Sequence, residues 1–412
     1  MKIMKIHLFI FTTFMLLILP LALANNCVWI PSDIYDETFD EHVLDLMEVA
    51  PIESCAFSVL QGTDVFYSKG FGDQPGTDVA YYLLSCGKTF TATAFLLLYE
   101  QGLIDLDDNI NNYLPYELKN PNHPTSIITI KHLLSHHSSI SSDPSPPMYL
   151  EGLLNGSSLF PSTIYNFWHE DGPFYSPDHW YDWEPGTEFH YADIGYDVLA
   201  LAFENITEIT LIEYITTNIH NPLGMTNTKN DFTDYSADKL AIGYNWNAVS
   251  QINEVTPYFN ASLIPGAGGF YSTVEDMSKF MLTHLNQGEY NGVRILNETS
   301  IELMHTEISN SNYALGWWTE REIAGRTYQG HGGGPFVGFA TKFYIKGTLG
   351  AIFLCNQGVG TGFQNSIFDH IFDLALKLNT EKTCKTNLYF LPIIGSMAIM
   401  ATYTLHRRKK KF

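Results

Sequence analysis

The chain has 412 residues, 45% of them hydrophobic, and sets 44 acidic against 22 basic residues for a formal net charge of −22. That length supports a sizeable core in one or two lobes. The acidic balance excludes nucleic acid and an anionic lipid surface as natural partners, and no basic aromatic patch argues otherwise.

Residues 1–24 place lysines first, then an apolar run, then Ala22-Leu23-Ala24. That order predicts a secretory signal peptide cleaved after Ala24, with an uncleaved anchor as the alternative. Asp36 to Ala50 carries Phe39, Val43, Leu46, Met47 and Ala50 on one face of an amphipathic helix. Ala56 to Leu60 and Val65 to Ser68 read as a hairpin across Gly62-Thr63-Asp64. A long apolar helix follows, opening near Ser85 and ending near Gln101-Gly102.

From Asp107 to about Tyr244 the pattern is helical with long loops. Its helices are Thr129 to Ser135, Ala192 to Glu204, and Leu211 to His220. Residues 140–181 form a Pro- and Ser-rich aromatic insertion with Trp168, His169 and Trp180, of the kind that serves as a lid or binding loop. Thr273 to His284 predicts a helix capped by Ser272. Phe339 to Ile345 and Leu349 to Leu354 predict a second hairpin, and Phe363 to Leu378 a closing amphipathic helix.

Strands thus come from both ends of the body and helices from its middle. The expected fold is α+β, an α/β sandwich: a mainly antiparallel sheet flanked by N- and C-terminal helices, with an inserted all-helical lobe over about 107–250. The body would occupy 25–384. Residues 388–405 lack charge and predict a transmembrane helix, and 406–412 a basic cytoplasmic tail that leaves the body outside or in a secretory lumen. Asn155, Asn205, Asn260 and Asn297 head glycosylation sequons. Of the cysteines Cys27, Cys55, Cys86, Cys355 and Cys384, an odd set, at least one stays unpaired in a monomer. Cys27 and Cys384 flank the body, but connectivity is not legible from spacing.

Three patches carry chemistry. Ser85-Cys86-Gly87-Lys88 sets an amine one helical turn from a hydroxyl, which can activate it as a nucleophile. The competing reading is a serine N-cap beside a solvated lysine. Tyr191-Ala192-Asp193 offers a phenol whose pKa a nearby ammonium would depress, making it a base. Gly330-His331-Gly332-Gly333-Gly334 puts an imidazole in a glycine-rich approach where backbone N–H groups can meet an oxyanion. His132 and His136 stand at i, i+4 but without an intervening H-E-x-x-H glutamate, so no metal site is expected.

In this order the patches look like the S-x-x-K, Y-x-N and H-x-G motifs of the serine β-lactamase and penicillin-binding-protein superfamily. The branch resembled is the one containing class C β-lactamases, D,D-peptidases and related esterases. ITIKHLLSHHSS, EPGTEFHYADIGYDVL, PGAGGFYSTVEDMSKFM, YALGWW and GHGGGPFVGF are similar to its flanking signatures. The resemblance implies that Ser85 is acylated, that Lys88 and Tyr191 shuttle its proton, and that the N–H groups of Ser85 and Gly334 form the oxyanion hole. It places Asp193, His331 and Gly333 on the substrate side, and implies no cofactor.

Asp193 departs from the family's asparagine and cannot donate a hydrogen bond as a carboxylate. His331 stands where many relatives carry lysine, and Ser139 where relatives often have glycine. The function expected is an exported, membrane-tethered hydrolase of peptidase, esterase or amidase type, acting on a small-molecule or peptide acyl substrate. A β-lactamase or acyltransferase on the same site, and a non-catalytic ligand-binding surface protein, are the alternatives.

Overall fold

The computed structural model describes residues 38–49, 52–141, 162–247, 249–323, 325–336, 338–358 and 365–373. Residues 1–24 and 388–412, Cys27, Cys384, Asn155 and insertion residues 142–161 lie outside them. The sheet and the helices packed on it belong to the compact unit Ser32–Ile371.

The fold is mixed helix and antiparallel sheet. In chain order the strands are β1 (Ser54–Gln61), β2 (Asp64–Gly72), β3 (Tyr81–Tyr82), β4 (Tyr244–Asn247), β5 (Ile252–Val255), β6 (Tyr271–Ser272), β7 (Glu289–Tyr290), β8 (Val293–Arg294), β9 (Trp318–Ile323), β10 (Arg326–Phe336), β11 (Phe339–Lys346) and β12 (Leu349–Cys355). The helices are α1 (Asp40–Val49), α2 (Lys88–Glu100), α3 (Ile130–Leu134), α4 (Ser162–Trp168), α5 (Asp193–Thr207), α6 (Leu211–Ile215), α7 (Val274–Leu285) and α8 (Glu298–His305).

The main sheet runs β2-β1-β12-β11-β10-β9, every neighbour antiparallel. Every residue of β1 and β12 is buried. Central strands covered on both faces read as continuous apolar runs rather than alternating ones, and that is the character of SCAFSVLQ and LGAIFLC. Helix α1 lies on one face, where the Met47 thioether meets Cys55 Sγ at 3.7 Å. Helix α7 lies on the other, where Ser278 Oγ donates to Ser58 Oγ at 2.8 Å. The cap of α7 is Thr273, not Ser272: its hydroxyl accepts from Asp276 N at 3.1 Å.

Helix α2 is buried almost all round, from Lys88 through Leu96. A helix without a polar face belongs in the core. Its buried threonine hydroxyls are each satisfied by backbone carbonyls, Thr91 by Gly266 O at 2.8 Å. The described part of the insertion is anchored there too: Trp168 and Trp180 are buried, and Ile140 bridges Trp180.

Candidate active site

Ser85 sits in a single 3₁₀ turn, Leu84–Gly87, between β3 and α2. Neither that turn nor α2 has a side-chain cap. The N-cap reading of Ser85 therefore fails, and its hydroxyl is free for another role. Leu84, just before it, has φ +54, a left-handed conformation that costs a non-glycine residue about 1 kcal/mol or more. Two neighbours hold the turn in place. Thr341 Oγ1 donates to Leu83 O at 2.7 Å. Gly268 and Gly87 meet backbone to backbone, where a Cβ on Gly87 would lie 3.1 Å from Gly268 Cα. Cys86, buried beneath, is a packing residue whose thiol is pushed up to about 12 by burial.

Lys88 is fully buried and donates to Ser85 Oγ at 3.2 Å, Asp193 Oδ1 at 2.6 Å and Ala267 O at 2.8 Å. An ammonium has three N–H donors, and with Tyr191 as a further hydrogen-bond partner all three are engaged and at least one is shared. Burial penalises the charge, but the Asp193 carboxylate and Tyr191 outweigh it and hold the amine above its ordinary pKa. Asp193, at the start of α5, is more than half exposed, its side chain at 53%. The expected substrate-side residue is thus first the counter-ion of Lys88.

Tyr191 lies across the same amine, whose Nζ is 5.1 Å from its ring centre. Its pKa is not depressed, contrary to the expectation from sequence. Burial pushes it up to about 12, against the opposing pull of Lys88 and of hydrogen bonds from Ser85 and Lys88. In the resting state the Tyr191 phenol therefore keeps its proton. His136 fixes its position: Nδ1 accepts from Ala192 N at 3.2 Å, and the ring lies 4.1 Å from that of Tyr191.

His132 and His136 do not share a helical face. Helix α3 ends at Leu134, and His136 has φ +60, off the helical face. His132 instead completes the Thr129 capping box. Ser139, at φ +60, occupies a left-handed position that favours glycine.

His331 is buried, with Nδ1 3.0 Å from Gly332 O and Nε2 3.0 Å from Tyr313 Oη. A carbonyl only accepts, so Nδ1 carries the proton and Nε2 accepts from Tyr313. Burial, Lys88 and Arg321 lower its pKa to about 3. Both nitrogens are engaged within the protein, which leaves this neutral imidazole no free atom for a substrate carboxylate in this state. Its strand reaches the Ser85 turn through glycine. A Cβ on Gly333 would stand 2.5 Å from Leu84 Cβ and 2.6 Å from Thr341 Oγ1. Beyond Gly333 the β10–β11 register breaks, and Gly334 falls in the break, exposed. Gly333→Ala should push β10 off the Ser85 turn and displace the Gly334 N–H. We expect a fall in kcat/KM of about 10²-fold or more, measured on a Ser85-dependent ester, with circular dichroism to confirm folding.

Asp197, one turn beyond Asp193 on α5, was not among the residues expected at the site. It is buried, accepts from Gly266 N at 3.3 Å, and is raised to about 8 by burial and by Asp193. It thereby holds the Gly266–Ala267 segment whose carbonyl takes the Lys88 ammonium. The i, i+4 spacing of the two aspartates was the signal that could have revealed it.

His220 is buried between Phe90 and Phe270, and burial lowers its pKa to about 3. A histidine kept neutral in the fold titrates near 6.5 when unfolded. The unfolded state then binds more protons below pH 6.5, so stability is lost as pH falls from there toward 3. Relative to His220→Leu, the wild type should lose about 2 kcal/mol between pH 6.5 and 5, read from urea midpoints.

The fold and the serine-lysine site define a serine hydrolase scaffold of the β-lactamase and penicillin-binding-protein kind. The family profile described as Beta-lactamase matches residues 39–376, and the chain belongs to that family. It is 26% identical over 294 residues to "Protein flp" of Staphylococcus aureus (strain NCTC 8325 / PS 47), covering 69% of this chain and 56% of that one. The chain thus spans about half the length of that relative. Among solved structures, the octameric penicillin-binding protein homologue from Pyrococcus abyssi matches at 23% identity and TM-score 0.67, over 81% of this chain and 76% of the other. A D-stereospecific amidohydrolase from Streptomyces sp. matches at 23% identity and TM-score 0.62, over 80% and 98%. These structural likenesses concern the fold.

Proposed function

We propose that the protein is an exported, membrane-tethered serine hydrolase of peptidase, esterase or amidase type, working through an acyl-enzyme on Ser85. The observation that carries this is the uncapped Ser85 hydroxyl 3.2 Å from Lys88 Nζ, on a turn against which the Gly333 strand is seated. From the minority form in which Lys88 is a neutral amine, Ser85 Oγ attacks the acyl carbonyl and its proton passes to Lys88 Nζ, which in turn replaces the proton that Tyr191 gives up. The oxyanion is met by the N–H groups of Ser85 and Gly334. The leaving group takes a proton from the Tyr191 phenol, and water then releases the acyl group.

Export and tethering rest on the residue patterns at 1–24 and 388–412. Among the described residues no helix is long and apolar enough to cross a membrane. N-terminal sequencing of the secreted form should begin at Asn25. β-Lactam hydrolysis and transfer to an amine or alcohol acceptor are variants of the same acyl-enzyme. The amidohydrolase likeness puts D-amino-acid amides in the substrate screen. A non-catalytic ligand-binding role is the second reading. It is favoured by one observation, that every donor of Lys88 is already engaged. The test is a fluorophosphonate probe applied to the full chain at pH 7 and pH 9. Adduct mapped to Ser85 supports the acyl-enzyme; intact, folded protein that stays unlabelled at both pH values overturns it.

A further inference from the structure

Cys55 and Cys355 face each other across the seam of the sheet. Strand β1 pairs with β12 in an unbroken register that sets Cys55 directly opposite Cys355. The seam is where the N-terminal hairpin β1–β2 meets the C-terminal strands β9–β12. Both thiols are buried and free.

Antiparallel neighbours alternate between hydrogen-bonded pairs and non-hydrogen-bonded pairs, and side chains come closest in the second kind. The type of this pair is set by its neighbours. Asn356 N donates to Ser54 O at 3.1 Å, so Ser54 and Asn356 form a hydrogen-bonded pair. At the far end of the same ladder Gly62 N donates to Thr348 O at 2.8 Å, which gives the same phase. On the other side of β1, Asp73 N donates to Glu53 O at 2.9 Å, which turns the backbone polar groups of Cys55 toward β2. All three bonds make Cys55 and Cys355 a non-hydrogen-bonded pair. Such pairs have Cα atoms about 4.5 Å apart, within the roughly 4.4–6.8 Å range of disulfides.

We propose that Cys55 and Cys355 are the site of a cross-strand disulfide that locks β1 to β12 when the chain folds under oxidising conditions. The oxidant is a disulfide of the glutathione or protein-oxidase class. One cysteine thiolate attacks it, expelling one thiol and leaving a mixed disulfide. The second cysteine then attacks the mixed disulfide, expelling the other thiol. The two cysteines lose two electrons and two protons, which the oxidant's two sulfurs gain. Burial sets the timing. Helix α1 covers Cys55 through Met47, and burial raises both thiols above their ordinary range, Cys355 to about 12. Thiolate is scarce in the finished fold, so the bond closes during folding and is then shielded from reductant. The proposal is independent of the acyl-enzyme chemistry.

The test refolds the full chain from denaturant in a glutathione redox buffer and, in parallel, in dithiothreitol. Free thiols are alkylated under denaturing conditions and digested peptides are mapped by mass spectrometry. We expect a Cys55–Cys355 cross-linked peptide, two hydrogens lighter than its parts, only in the oxidised sample. The oxidised form should melt several degrees higher than the reduced form, and Cys355→Ala should lose most of that difference. Recovery of both cysteines alkylated from oxidised protein with native circular dichroism would overturn the proposal. So would either cysteine bonded to Cys27, Cys86 or Cys384.

Discussion

Ser85→Ala should lower turnover of any ester or amide substrate by about 10⁴-fold or more, the scale on which losing a serine nucleophile acts when its partners work only with it. The replacement removes one hydroxyl at a partly exposed position and breaks no cap, since Ser85 caps neither its own turn nor α2. Stability should therefore change little. Steady-state rates measured beside a thermal melt separate the two quantities. Substrate affinity should survive, because the glycine-lined strand and Tyr191 stay in place. A variant that keeps its turnover would show that the hydroxyl is not the nucleophile. A variant that keeps the biological phenotype but not the turnover would favour the ligand-binding reading.

Asp193→Asn should shift the pH dependence of acylation. In the wild type Lys88 donates to Ser85, Asp193 and Ala267. Deprotonated, it would keep two donors for Asp193 and Ala267 and turn its lone pair to Ser85. The Ser85 hydroxyl then becomes the donor, which is the geometry a general base needs. Asp193 opposes that change by holding the amine above its ordinary pKa. The basic form therefore grows as pH rises, and the wild-type rate should climb about tenfold per unit through the alkaline range. Asparagine keeps an acceptor oxygen but removes the charge, so the burial penalty on the ammonium prevails and the amine pKa falls. Half-maximal acylation should move down by more than about one unit, with roughly a tenfold gain at pH 7. The pH profile of probe labelling checks this. A lower rate at every pH would instead assign Asp193 a direct role in holding substrate.

How much of this was legible varies with the kind of interaction. Hairpins and helices followed local rules: the β1–β2 and β11–β12 pairs and α2, α5 and α7 stand close to where turn glycines and apolar spacing put them. Hairpin β4–β5 was missed because its strands are short and largely exposed, too brief for a period to stand out. Tyr191 and His331 were placed as residues but not as chemistry. An ammonium nearby suggested a depressed phenol, yet burial, which no local pattern reveals, outweighed the charge. His331 looked available to substrate until Tyr313 and the Gly332 carbonyl took both its nitrogens.

Ser85 and Lys88 one turn apart, the glycines that let β10 approach, the acidic surface and the family were determined by the sequence itself, because each depends on neighbours in the chain or on composition. The tertiary structure alone decided that Asp193 is the counter-ion of Lys88, that Asp197 supports the carbonyl beneath it, and that Cys55 meets Cys355. Each joins residues distant in the chain or on different elements, with at least one partner buried. The strength of such a contact depends on how completely water is excluded around it, and that is a property of the assembled core.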